Sequence, residues 1–115
     1  MVDLGQNFLV DRDVLRDIIA AADVQPDDIV LEIGPGKGVL TEELAKKAKQ
    51  VIAVELDRTL VAGLQKKFKN EKNVEIIHED ILRWWKKNES YAARGEHRQG
   101  DCFEDSAFKV VANIP

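Results

Sequence analysis

Cysteine, histidine, proline and aromatic residues are all scarce in this 115-residue chain, and each scarcity excludes something. The single cysteine, Cys102, allows no internal disulfide, which points to a reducing, cytoplasmic home. His78 and His97 are its only histidine companions, and together they make no metal-ligand pattern, so no bound metal is expected. No apolar run approaches the roughly 18–20 residues that span a bilayer. The first residues also lack a signal-peptide pattern, and no membrane partner is expected. Positive charge is in deficit: 17 Lys and Arg against 21 Asp and Glu give a net charge of −4. That weighs against a nucleic-acid surface covering the whole chain. Local basic stretches survive, Lys46-Lys47 with Lys49 and Lys66-Lys67 with Lys69 and Lys72, and these read as solvated helix faces.

What is present is a regular alternation of short apolar runs and helical patterns. Residues 1–10 are irregular, and Asp11 is placed to cap a helix over about 12–23. Val14, Leu15, Ile18, Ile19 and Ala22 form its single apolar stripe. Pro26-Asp27-Asp28 breaks that pattern before a buried strand at 29–33. A second helix follows, with Leu40, Leu44, Ala45 and Ala48 on one face, then a strand at 51–55. A helix over about 58–69 buries Leu60, Val61, Leu64 and Phe68, and Val74-Glu75-Ile76-Ile77 is a third strand. Phe108 to Ala112 is the fourth. Such an alternation implies right-handed βαβ units: an α/β fold with a doubly wound parallel sheet of Rossmann-like type. Between residues 86 and 106 polar residues dominate and Gly95 and Gly100 break any period, so a mobile surface loop is expected there. Trp84-Trp85 just before it reads as helix packing rather than a base-stacking platform. In the usual strand order 3-2-1-4 the fourth strand is left with an open edge, a surface for self-association. The chain is therefore expected to be the first part of a larger domain.

The most specific segment is Glu32-Ile33-Gly34-Pro35-Gly36-Lys37-Gly38, a glycine-rich turn between the first strand and the second helix. Glycines at 34, 36 and 38 permit positive φ and let a ligand approach without a Cβ in the way. The N–H groups of the following helical turn face such a ligand. About 20 residues on, Glu55 closes the second strand, where ribose hydroxyls are gripped in doubly wound folds. Asp80 follows the third strand and could accept from the exocyclic amine of an adenine. Each carboxylate also has a plainer reading as a helix N-cap. Asn113 follows the fourth strand. Its side-chain amide oxygen and a nearby backbone carbonyl could both accept from an amino group on a base, aiming the nitrogen lone pair at an electrophile. No nucleophile–base pair is evident, which suits a reaction whose electrophile a cofactor carries.

With these residues assembled, the chain resembles the ribosomal RNA adenine N6-dimethyltransferases, small-subunit type, along nearly its whole length. Gly5-Gln6-Asn7-Phe8-Leu9 resembles the family's N-terminal cofactor motif and Glu32 to Gly38 its methionine-binding loop. Glu55-Leu56-Asp57 is similar to the ribose motif, and Glu79-Asp80-Ile81 to the adenine motif. Asn113-Ile114-Pro115 is similar to the catalytic Asn-Leu/Ile-Pro-Tyr/Phe, stopping before its aromatic residue. The resemblance implies S-adenosyl-L-methionine as cofactor, contacted by Asn7, Leu9, Gly34, Gly36, Glu55, Asp80 and Asn113. It implies Asn113 and Pro115 as catalytic residues, and a pair of adjacent adenosines in small-subunit rRNA as substrate. The stacking aromatic, the later strands and a helical domain are absent, so this chain is expected to carry the cofactor-binding part and to be inactive alone. The alternatives are a catalytically incomplete cofactor- or RNA-binding fragment, and a large-subunit adenine methyltransferase of the macrolide-resistance type. A nicotinamide-dependent dehydrogenase fits poorly: the spacing here is G-x-G-x-G, not G-x-G-x-x-G, and Gly5 and Asn113 would go unexplained.

Overall fold

A computed structural model of the chain describes residues 12–94 and 108–112. Four helices and four strands alternate among them: α1 (Arg12–Ala22), β1 (Ile29–Ile33), α2 (Val39–Lys47), β2 (Gln50–Glu55), α3 (Arg58–Lys67), β3 (Val74–His78), α4 (Ile81–Arg94) and β4 (Phe108–Ala112). The strands form one sheet in the order β3-β2-β1-β4, and every pairing is parallel. This is the order expected from the alternation. β1 sits at the centre, with Ile29, Val30 and Leu31 fully buried. An apolar run without alternation is what a strand covered on both faces requires.

Successive side chains of β1 feed two cores. Val30 packs with Ile19 of α1, Leu40 and Leu44 of α2, and Val51 of β2. Ile29 and Leu31 pack on the opposite face with Ile52, Val54 and Trp84 of α4. Thus α1 and α2 cover one face and α4 the other. α3 joins the α2 side, because the side chains of Leu64 and Phe68 lie directly against Gly38. Full burial of a leucine such as Leu40 or Leu44 contributes about 2 kcal/mol, so the α2 stripe alone accounts for several kcal/mol of attachment.

Helix ends follow local chemistry. Asp57 caps α3 by accepting from the N–H groups of Thr59 and Leu60. Two basic residues, Lys66 and Lys67, occupy its last turn, where the helix dipole favours them. Asp23 after α1 takes a positive φ of 46°, and its N–H returns to the carbonyls of Ile19 and Ala20. Lys109 of β4 donates to the carbonyls of Ala22 and Asp23, satisfying groups that the end of a helix leaves exposed.

One expectation is corrected. The segment from 86 onward does not begin a loop; α4 continues through it to Arg94. Asp80 starts this helix, and Ile81, Trp84 and Trp85 turn inward while Leu82, Arg83, Lys86 and Lys87 face solvent. Lys86 and Lys87 belong to the wet side of an amphipathic helix, so polar residues there do not mark the absence of one. Trp84 is buried, as helix packing requires, and the rest of the 86–106 segment lies outside the described residues.

Candidate functional site

The carboxyl ends of β1, β2 and β3 bring the predicted residues together. Ile33, the last residue of β1, pairs with Val54, and the next N–H, that of Gly34, donates to the Val54 carbonyl at 3.0 Å. Glu55 ends β2 opposite His78 of β3, and the N–H of Glu79 donates to the Glu55 carbonyl at 3.2 Å. The glycine loop, Glu55 and Asp80 therefore sit on three adjacent strand tips. Ala112 of β4 pairs with Ile33, so the fourth strand ends beside the same loop. Asn7, Leu9, Asn113 and Pro115 lie outside the described residues.

All three loop glycines adopt positive φ: 69° at Gly34, 61° at Gly36 and 86° at Gly38. Two of them serve different ends. A Cβ on Gly38 would stand 2.7 Å from the Phe68 ring, so this position is small because α2 and α3 meet there. A Cβ on Gly36 would meet nothing within 4 Å, so the space beside it is open. Gly38 also serves as the N-cap of α2, and no side chain caps that end. The opening turn of α2 thus keeps its positive dipole end directed at the loop.

Glu55 is buried and holds the loop in place. Its Oε1 accepts from the N–H of Gly36 at 3.2 Å, and its Oε2 accepts from Leu56 and Asp57 N–H at 2.9 and 3.0 Å. It is not the cap of α3; that role falls to Asp57. A carboxylate gripped by three backbone donors is fixed in orientation, with acceptor capacity left over for an incoming hydroxyl. Asp80 does cap α4, with Oδ1 accepting from Leu82 N–H at 2.8 Å and Arg83 N–H at 3.3 Å. The plainer reading of Asp80 is thus correct, and the cap uses one carboxylate oxygen. Neighbouring Glu79 takes an ion pair from Lys87 at 2.9 Å; this hydrogen bond holds its carboxyl below the usual carboxylate range.

Two residues that lie inside motifs named from the sequence, but had no individual role there, belong to the site. Leu56 is 65% exposed at the strand tip between Glu55 and the Asp57 cap, an apolar side chain facing outward at the mouth of the site. Glu32 is fully buried on β1, and Thr41 of α2 donates to its Oε1. Among the described residues its Oε2 has no hydrogen-bond partner. Burial pushes the Glu32 carboxyl up to about 7; the Thr41 bond opposes this and the nearby Glu55 charge adds to it. A lone carboxylate inside Ile29-Val30-Leu31-Glu32-Ile33 was the available signal, since nothing in a doubly covered strand solvates it.

Three parallel strand tips around a glycine loop, with a fixed carboxylate closing the second strand, form a Rossmann-like nucleotide cradle, here of the S-adenosylmethionine-dependent methyltransferase class. Solved structures agree. The chain resembles the 23S rRNA methyltransferase ErmE with a TM-score of 0.62 and 43% identity, over 66% of this chain and 31% of that one. It resembles a dimethyladenosine transferase from Plasmodium falciparum with a TM-score of 0.59 and 35% identity, over 64% of this chain and 27% of that one. Within that class, residues 2–115 match the family described as ribosomal RNA adenine dimethylase, and the chain belongs to that family. Relatives named ribosomal RNA small subunit methyltransferase A are 60% identical in Dehalococcoides mccartyi and 44% in Alkaliphilus metalliredigens, each over 97% of this chain. The chain spans only 34% and 36% of those two proteins, about a third of their length.

Proposed function

We propose that this chain carries the S-adenosylmethionine-binding part of an enzyme that dimethylates adjacent adenosines of small-subunit rRNA at N6. The observation that supports it most is the meeting of Gly36 N–H with the Glu55 carboxylate across the open space beside Gly36. The residues present fit the cofactor. Glu55 offers fixed acceptor lone pairs for a ribose diol, and the open side of Gly36 admits a ligand where a Cβ would intrude. Asp80 retains a carboxylate oxygen beyond its cap for an adenine amine, and exposed Leu56 offers an apolar surface for the base. When bound, the cofactor supplies a methyl group already activated by its sulfonium.

The remaining task is to place an amine in line with that methyl group. Asn113 and Pro115 are assigned to it by resemblance, and β4 ends one residue before Asn113, alongside the end of β1. Positioning of this kind needs no general base on the protein. The chain is expected to bind the cofactor. β4 has a partner on one side only among the described residues, and Val110 on it is half exposed. Self-association through that edge is expected, and a monodisperse monomer in sedimentation would refute it.

The deciding test is equilibrium binding of S-adenosylmethionine to the chain and to Glu55→Ala. Binding that falls at least tenfold in the variant supports the reading; equal binding overturns it. The similarity to ErmE keeps a large-subunit target as the second reading. Methylation assays with a complete homologue on isolated small- and large-subunit rRNA separate the two.

A further inference from the structure

Glu32 and Glu55 project from neighbouring strands toward the same face of the sheet. Glu32 pairs with Ala53 across the β1–β2 ladder, and Glu55 lies two residues further along β2. Val30 and Val51, two and four residues before them respectively, both belong to the core beneath α1 and α2. The two carboxylates therefore lie under one glycine loop, and the Glu55 charge adds to the proton affinity of Glu32. Yet they are solvated very differently. Glu55 has three backbone donors, whereas Glu32 has one hydroxyl and, among the described residues, an oxygen with no partner at all. An ionised carboxylate in that position needs a positive charge nearby.

The other charged groups around it do not provide one. Asp28 shares the face of β1 but is engaged by Lys109 of β4. Lys37 is exposed on the outer side of the loop, where its carbonyl accepts from Lys67 of α3. Val111 of β4, which pairs with Glu32, is apolar, and so are the α1 side chains in this core. Among the described residues no cation is placed against Glu32, so a ligand seated in the loop is the source of positive charge to consider.

We infer that Glu32 senses the sulfonium charge of the bound cofactor: it keeps a proton while the cradle holds no sulfonium and gives it to solvent when a sulfonium donor binds. This rests on the cofactor assignment made above and deepens it. The donor differs from its thioether product, S-adenosylhomocysteine, by one methyl group and the positive charge on sulfur. Glu32 thereby favours donor over product without touching the transferred methyl group. The raised proton affinity of the buried carboxyl puts this exchange near neutral pH.

The test is calorimetric titration of the chain with each ligand, at pH 5.5, 6.5 and 7.5, in buffers of different ionisation enthalpy. If the cation lowers the Glu32 proton affinity tenfold, donor binding at pH 6.5 releases about half a proton and product binding releases far less. The donor-to-product affinity ratio then rises about sixfold over that range. The α-amino groups of both ligands stay protonated at pH 5.5 and 6.5, so the proton counts at those two pH values report Glu32. Glu32→Gln should still bind both ligands but release no extra proton, with a ratio independent of pH. Thr41→Val, which removes the one hydroxyl partner of Glu32, should move the release to higher pH. Equal proton release by the two ligands, or release that persists in Glu32→Gln, overturns the inference while leaving the cofactor assignment intact. Failure of the wild-type chain to bind either ligand overturns both.

Discussion

Asp28 and Glu32 stand at opposite ends of the same strand region, and the fold treats them in opposite ways. Asp28 is 2% exposed at the amino end, where its Oδ2 accepts from Gln25 N–H at 2.7 Å and pairs with Lys109 at 2.9 Å. Burial raises its proton affinity, but these hydrogen bonds and the lysine charge outweigh that and leave its pKa below the usual value. Glu32 is just as buried at the carboxyl end, has a hydroxyl for a partner, and is pushed up to about 7. The amino end of the sheet is electrostatically closed and ties α1, β1 and β4 together. The carboxyl end retains an unmet demand for positive charge. In a doubly wound fold the first arrangement stabilises and the second waits for a ligand.

The largest expected effect tests the closed end. Asp28→Ala removes the only carboxylate paired with the part-buried Lys109 ammonium among the described residues and frees the turn at Gln25, costing about 3 kcal/mol in urea unfolding at pH 7. A cost under about 1 kcal/mol would mean the pair is dispensable. The sign with pH follows from its lowered folded value: the Asp28 contribution is full above the unfolded value near 3.8 and is lost as pH falls through the folded one. Gly38→Ala comes next. With φ at 86° and a Cβ 2.7 Å from Phe68, it should cost about 2–3 kcal/mol in the same measurement.

The open end should respond with the opposite sign. Because the folded Glu32 value is raised, its contribution is full below the ordinary value near 4.5 and is lost as pH rises through about 7. Glu32→Gln should therefore stabilise the chain by about 2 kcal/mol at pH 8 and by little at pH 5. Thermal unfolding at the two pH values decides this; destabilisation at pH 8 would show that the carboxylate is satisfied after all. Gly36→Ala should cost only about 1 kcal/mol, from backbone strain alone, since nothing crowds its Cβ. Its effect on cofactor affinity should be much larger than its effect on stability. Smallest of all, Lys46→Ala removes an exposed pair with Glu43 and should change stability by under about 0.5 kcal/mol.

The parts of this molecule that were readable in advance share one property: they depend on local pattern. Each strand was placed to within about a residue because parallel strands covered on both faces are short unbroken apolar runs. The glycine loop and Glu55 were readable because a strand, a tight turn and a helix impose residue types at fixed offsets. The helical turns beyond residue 86 were missed because polar composition was weighed over the period set by Ile81, Trp84 and Trp85. Gly38 was read as ligand-facing, although its smallness answers to Phe68, a contact 30 residues away in sequence. Glu32, quoted as the first residue of the loop motif, had no role of its own for a related reason. Its significance lies in what fails to surround it, which only the assembled sheet reveals.

The central claim is that the tips of β1, β2 and β3 enclose the cofactor. Titrating S-adenosylhomocysteine into the isotopically labelled chain and following backbone amide resonances tests it most directly. The account predicts that the largest shifts fall on Gly34, Gly36, Leu56, Asp57 and Leu82, with saturation, and that NAD produces none of them. Shifts confined to the amino end of the sheet, around Gln25, Asp28 and Lys109, would contradict it.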